Sequence, residues 1–151
     1  MTDLRTFCVE TAGRFGSDCR DHCLLSDNRA IITIEPGAIL KITDFVFTSS
    51  GFRFIIATAV HTQKGFEIYY HFSFDPLGYI LNLHVILPHD KPEIESLANK
   101  FSAANWIERE IHELFGIIFL NHPEPEALIS DGNWAKGVYP YRKDAKELKQ
   151  E

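Results

Sequence analysis

Cysteine is scarce and confined to one end of the chain, with Cys8, Cys19 and Cys23 the only three among 151 residues. An odd, clustered set offers no disulfide framework and suits a reducing compartment. Three thiols are also too few to ligate an iron–sulfur cluster. Long apolar runs are missing as well: the longest, Leu114 to Leu120, is interrupted by Gly116 and falls well short of the ~20 residues a membrane helix needs. The start, Met1-Thr2-Asp3-Leu4-Arg5, has no basic stretch leading into the apolar core of a signal peptide. The expectation is a cytoplasmic chain, neither secreted nor membrane-spanning. Positive charge is in deficit, with 15 Lys and Arg against 21 Asp and Glu and a net charge of −6, which disfavours nucleic acid as a partner. No G-x-S-x-G elbow, P-loop or G-x-G-x-x-G turn is present, so the usual signatures of serine hydrolases, nucleotide hydrolases and dinucleotide binders are lacking. Tandem repeats and low-complexity runs are absent too.

What is present is material for a core. Hydrophobic residues make up 45% of the chain, with twelve Phe, five Tyr and two Trp, which excludes wholesale disorder. The length is that of one domain. Leu4, Phe7, Cys8, Ala12 and Phe15 recur at three- and four-residue steps and predict a helix over 3–15 that Gly16 stops. Ala30 to Ile34 reads as a strand, and Pro36-Gly37 separates it from a helical stretch over 38–48. From Phe66 to Asp75 apolar and polar residues alternate with a period of two, flanked by β-rich Phe52 to His61 and Tyr79 to Leu87. The Gln63-Lys64-Gly65 and Asp75-Pro76-Leu77-Gly78 turns between them predict three consecutive antiparallel strands. Pro92-Glu93 reads as a helix start, and Ile94, Leu97, Phe101, Ala104, Ile107, Ile111 and Phe115 continue at helical spacing.

Segregated strands and helices predict an α+β domain over 1–120, a small mainly antiparallel sheet with helices packed on one face. Beyond it, His122-Pro123, Pro125, Asp131-Gly132-Asn133 and Pro140 deny any long regular element. Residues 121–151 read as an extended tail, and a long irregular segment of this kind commonly has a partner surface to lie on.

The densest chemistry is Trp106-Ile107-Glu108-Arg109-Glu110-Ile111-His112-Glu113-Leu114-Phe115-Gly116. On a helix, Glu108 with His112 and Arg109 with Glu113 are each one turn apart, and both pairs are expected on a solvent-facing side. Such pairs contribute about 0.2–0.5 kcal/mol each, too little to account for so many charges, so a role in partner choice follows. His112-Glu113 begins the zinc pattern H-E-x-x-H, but Gly116 stands at the second ligand position and only His122, through a loop, could replace it. Cys19 and Cys23 with His22 have no second Cys pair to complete a tetrahedral site. His61, His71 and His84 fall on strands, where His71 and His84 are expected to face solvent.

Glu108-Arg109-Glu110, then Glu113-Leu114-Phe115-Gly116-Ile117 and His122-Pro123, resemble the signature of the 30-kDa subunit family of respiratory complex I, the NADH:quinone oxidoreductase, which reads E-R-E-x-x-D-x-F-G-I-x-F-x-G-H-P. Phe66 to His71 is similar to the R-F-E-v-v-Y-h strand of that family, and Pro140-Tyr141-Arg142-Lys143-Asp144 to its P-L-R-K-D. The same family includes the corresponding small subunit of energy-converting nickel–iron hydrogenases. The resemblance implies a non-catalytic structural subunit on the cytoplasmic side of a membrane-attached complex, touching the membrane only through that complex. It would bind no cofactor of its own; its partners would be a hydrogenase-like large subunit and iron–sulfur subunits, with FMN or a nickel–iron centre elsewhere in the assembly. It also implies that Glu108, Arg109 and Glu110 orient the helix and its neighbours, that His122-Pro123 turns the chain outward, and that Arg142 reaches a partner carboxylate. Asn121 stands where the family has Gly, Glu113 where it has Asp, and Pro125-Glu126 where it has Leu-Arg. The reading from another class is a stand-alone metal-dependent hydrolase using His112, Glu113 and His122.

Overall fold

The computed structural model describes residues 3–129, 135 and 137–144. The chain begins with α1 (Leu4–Phe15), whose first turn is capped by the Asp3 carboxylate accepting from Thr6 N at 2.8 Å. Gly16 ends the helix at φ 53°. Two strands follow, β1 (Cys19–Ser26) and β2 (Arg29–Ile34), paired antiparallel around Asp27-Asn28. Helix α2 (Ile39–Asp44) runs on into a π turn over Phe45–Ser49, and then come β3 (Arg53–Thr62), β4 (Gly65–Phe74) and β5 (Tyr79–Leu87).

The expected meander is present, inside a larger sheet of order β1-β2-β5-β4-β3. Within this sheet only β2 and β5 pair in parallel, because the chain leaves β2, builds α2, β3 and β4, and returns beside it. β1 lies outside the expected strands because its burial alternates too weakly to mark one face; among its eight residues none is fully buried. The Asp-Asn turn between β1 and β2 is its only local signal.

Register decides which side chains share a face. Ala30, Leu81, Phe72 and Phe54 lie in one row across β2, β5, β4 and β3, and Ile32, Leu83, Tyr70 and Ala57 in another. All are buried and join one core with Leu4, Phe7, Ile39, Ile42, Ala104, Ile111 and Phe115 of the helices. Phe7 of α1 meets Phe52, just before β3, at 5.1 Å, and Phe101, just before α3, stacks on Phe54 of β3 at 5.4 Å, so aromatic rings add to the aliphatic packing between helices and sheet.

The opposite face is polar and internally bonded. His84 bridges Thr33 at 3.0 Å and the Glu67 carboxylate at 2.8 Å, and Thr62 and Tyr69 also donate to Glu67. His71 donates from Nδ1 to Asn82 and accepts from Thr58. The expectation that His84 faces solvent is therefore corrected: it is buried within this network, since neighbouring strands shield a sheet-face side chain that local alternation alone assigns to water.

The segment read as a helix from Pro92 is also corrected. It is a short strand, β6 (Glu93–Glu95), parallel to β7 (Ile118–Leu120), and α3 begins only at Ser102 and ends at Phe115. The Pro92 carbonyl accepts from Ile118 N and Ser96 N donates to the Leu120 carbonyl. Backbone pairing with a distant segment thus outweighs a helical pattern of apolar residues.

Burial alone would raise the Glu67 carboxyl, but hydrogen bonds from Thr62, His84 and Tyr69 outweigh it and hold the group below its ordinary value. A carboxylate depressed in the folded state stabilises above the ordinary carboxylate range, and that stabilisation is lost as pH falls through it. In urea unfolding at a series of pH values, the stability gap between wild type and Glu67→Gln should narrow below about pH 4. A gap that stays constant with pH contradicts the network.

Candidate functional site

Helix α3 presents its side chains in three directions. Ala104, Glu108, Ile111 and Phe115 are buried against the sheet, so Glu108 occupies a core position. The expectation of a solvent-facing Glu108–His112 pair is corrected: Glu108 is 0% exposed. Its Oε1 accepts from Leu97 N at 2.7 Å and its Oε2 from the Ser96 hydroxyl. Ser96 in turn accepts from Ala98 N at 3.0 Å. One buried carboxyl thereby organises the loop that leads from β6 into α3.

Burial pushes this carboxyl up to about 7, against the opposing pull of Ser96 and the Leu97 and Ala98 amides. Beneath it the Tyr70 hydroxyl is fully buried and has no hydrogen-bond partner among the described residues. Burial, and then the charge of Glu108, raise the Tyr70 phenol well above its ordinary value. His122 approaches Glu108 at 3.7 Å, yet its ring is already engaged. Nε2 donates to the Asn105 carbonyl at 3.1 Å and Nδ1 accepts from Glu124 N at 3.0 Å. An imidazole that accepts at one nitrogen is neutral, so this contact is not an ion pair.

Arg109 and Glu113 do share a side of α3, but they do not pair there as expected. Arg109 Nε donates to the Glu126 carbonyl at 2.8 Å and Nη2 to the Ala127 carbonyl at 3.1 Å, with Nη1 3.6 Å from Glu124. The Glu113 carboxylate accepts from Leu128 N and Ile129 N. A cation holding carbonyls and an anion holding amides thus clamp 124–129 onto the helix. Glu110 is half-buried beside them. His112 donates from Nδ1 to the Ile117 carbonyl at 2.8 Å, fastening the turn into β7.

Gly116 caps α3 at φ 71°, a left-handed conformation that favours glycine. A Cβ at that position would lie 2.5 Å from Arg142 Nη2 and 2.6 Å from the Tyr139 ring, so glycine also makes room for the returning chain. Arg142 Nε donates to the Phe115 carbonyl, and Tyr141 N to the Leu114 carbonyl at 3.1 Å. The Arg142 guanidinium lies over Phe66 and Tyr139. Pro140 is half-buried in this turn, the Tyr141 ring meets Phe115 edge-on, Lys143 N donates to His61 Nδ1 at 3.0 Å, and Asp144 lies 3.8 Å from that nitrogen. Arg142, expected to reach a partner, is held by its own chain. Residues 130–134, 136 and 145–151 of the expected tail lie outside the described residues.

Asn121 adopts φ 58°, a conformation that Asn tolerates better than most residues. This accounts for Asn in the place of the family's Gly. Its side chain donates to Glu95 and its carbonyl accepts from Asn99, and after it His122 turns inward while Pro123 is exposed. The hydrolase reading gains no support from the same geometry. His112 Nδ1, the Glu113 carboxylate and both His122 nitrogens are bonded to the backbone of this chain, and among the described residues no group of three or more His, Cys, Asp or Glu is placed to hold a metal ion. The narrow cleft left between α3, β7 and the 122–126 turn measures about 80 Å³, enough for a few waters.

The pattern E-R-E singled out α3, whereas Ser96, Tyr70, Asn105 and Tyr139 carried no local signal. Their roles arise from chain segments that only folding brings together.

The ordinary Glu108 value of 4.5 becomes about 7 on folding, so the folded state prefers the protonated form and loses stability as pH rises between those values. Unfolding free energy should fall by up to about 3 kcal/mol from about pH 5 to about pH 8 in the wild type, and Glu108→Gln should remove that fall. Gly116→Ala should cost about 1–3 kcal/mol through the left-handed backbone and the collision with Tyr139. It should also speed exchange of the Tyr141 amide; unchanged exchange would show that 139–142 is held by something else.

The respiratory-chain NADH dehydrogenase 30 Kd subunit family model matches residues 32–151. The chain is 30% identical over 145 residues to a subunit of the F(420)H(2) dehydrogenase of Methanosarcina mazei, covering 94% of this chain and 91% of that one. It is 31% identical over 119 residues to a subunit of the NADH-quinone oxidoreductase of Ruegeria pomeroyi, covering 75% of this chain and 58% of the length of that relative. Its fold is similar to that of a chain in the membrane-bound sulfane sulfur reductase, an archaeal respiratory membrane complex, with a TM-score of 0.79 at 22% identity over 95% of this chain and 86% of that one. The chain belongs to the 30 Kd subunit family of the respiratory-chain NADH dehydrogenase.

Proposed function

We propose that this chain is a structural and assembly subunit in the peripheral arm of a membrane-attached oxidoreductase of the NADH:quinone type, supporting electron transfer that its neighbours carry out. The observation that carries this reading is the use made of α3. Glu108, Arg109, His112, Glu113 and His122, the residues richest in chemical potential, all hold one part of the chain against another. They brace the surface formed by α3 and the segment after β7 and leave no nucleophile–base pair among themselves. Family membership supports a place in such an assembly. In this reading the partners are a hydrogenase-like large subunit and iron–sulfur subunits. These carry the clusters, with FMN or a nickel–iron centre elsewhere in the complex, and the chain sits on the cytoplasmic side. Among the described residues no helix is long and apolar enough to cross a membrane, so attachment runs through those neighbours. The Glu108-Arg109-Glu110 segment, with His122-Pro123 and 140–144, forms or braces the contact surface.

Gentle affinity purification of the tagged chain from detergent-solubilised membranes, followed by mass spectrometry and metal analysis, tests the reading. Co-purification of iron–sulfur subunits and a large subunit is expected. Flavin-bearing NADH-oxidising subunits would indicate the quinone-reducing complex, and a nickel-binding large subunit the hydrogenase type. A chain that purifies alone and turns over a substrate would refute the proposal.

A further inference from the structure

Of the side chains on the outer half of α3, Trp106 stands apart from those engaged inside the molecule. Arg109 is only 12% exposed, covered by the 124–129 segment it holds, and Glu113 is engaged on the same stretch. Trp106, on the adjacent line of the helix, is 69% exposed. A tryptophan is among the most thoroughly buried side chains on average, and indole rings are over-represented among residues that dominate protein interfaces. Among the described residues Trp106 neither stacks on another ring nor receives a cation.

Charge identifies the partner. Glu110, one turn along from Trp106, has no ion-pair partner among the described residues. Glu126 is exposed, and the Glu124 side chain is 64% exposed. Arg109 on this side is spent on the Glu126 and Ala127 carbonyls and on Glu124 at 3.6 Å, which leaves Glu110 and Glu126 without a cation among the described residues. A purely apolar partner would cover the indole but desolvate the Glu110 carboxylate without pairing it. A guanidinium matches both features, because it lies flat on an aromatic face and donates in its own plane to a carboxylate.

We propose that Trp106 and Glu110 form the docking point for an arginine-bearing segment of a neighbouring subunit, the guanidinium lying on the indole and donating to Glu110. The inference rests on the proposed function, since it needs a neighbouring subunit. The partner segment is basic, and its hold weakens with salt.

A photo-reactive benzoylphenylalanine placed at position 106 of the tagged chain, irradiated within the purified complex and mapped by mass spectrometry, tests the contact. The expected product joins position 106 to a peptide of another subunit that contains arginine. Cross-links confined to this chain, to a second copy of it, or to a segment without arginine would overturn the inference. In parallel, Trp106→Ala should reduce retention of the chain in the complex at raised ionic strength by about tenfold. Trp106→Phe should restore most of it, while the isolated variants unfold at the wild-type midpoint. Wild-type retention in Trp106→Ala would overturn the docking point but leave the assignment as a subunit standing. Failure of the wild-type chain to co-purify with any other subunit would overturn both.

Discussion

The Glu108 carboxyl joins helix α3 to the loop over 96–98 in a site closed to water, and the outer half of the molecule depends on that connection. It is the polar tie between α3 and the chain leaving β6, and the helix carries nearly everything that distinguishes this chain from a bare sheet with packed helices. Burying an ionisable group without a full charge partner is expensive. Here the cost is lowered by two donors and by a shift of the carboxyl toward neutrality. The Tyr70 hydroxyl below it, without a partner among the described residues, belongs to the same compromise: a polar cluster placed inside an aromatic core to set the position of one helix.

From that fixed helix the rest of the segment after β7 takes its path. Arg109 and Glu113 read backbone carbonyls and amides of 126–129, while the chain over 139–142 returns to the end of the helix, where Gly116 leaves space for Tyr139 and Arg142. Hydrogen bonds to charged groups are worth about 1.5–3 kcal/mol each in favourable cases, enough to hold an irregular segment that has few apolar anchors. The same commitment occupies the polar atoms of these groups within the chain itself. A motif that resembles part of a zinc site in sequence is, in space, a set of brackets holding the polypeptide to itself.

The sheet shows the same division of labour. Its helix-covered face is aromatic and aliphatic, and its open face is tied across strands by Glu67, His84, Thr33 and Tyr69. Polar residues on the face away from the helices are thereby kept in place by bonds to one another across the strands. Rigidity of this kind suits a subunit whose contribution to an assembly is to present surfaces in register.

Much of the architecture was legible in the amino-acid order. Period-two alternation from Phe66 to Asp75 located β4 and its neighbours because side chains on a strand alternate between two environments, and Gly16 marked the end of α1 by local capping chemistry. The E-R-E pattern and the two flanking matches pointed to the family, because each match is a short run of residues near one another along the chain. What tertiary structure alone decided is everything that depends on distant segments meeting. Residues 93–95 became a strand because 118–120 offered free backbone partners. Glu108 went inward because Ser96 and Leu97 awaited it, and Arg142 turned back onto Phe115 and not outward. The physical reason is common to all three: a side chain's or peptide group's best partner is set by three-dimensional proximity, which spacing along the chain encodes only within a few residues.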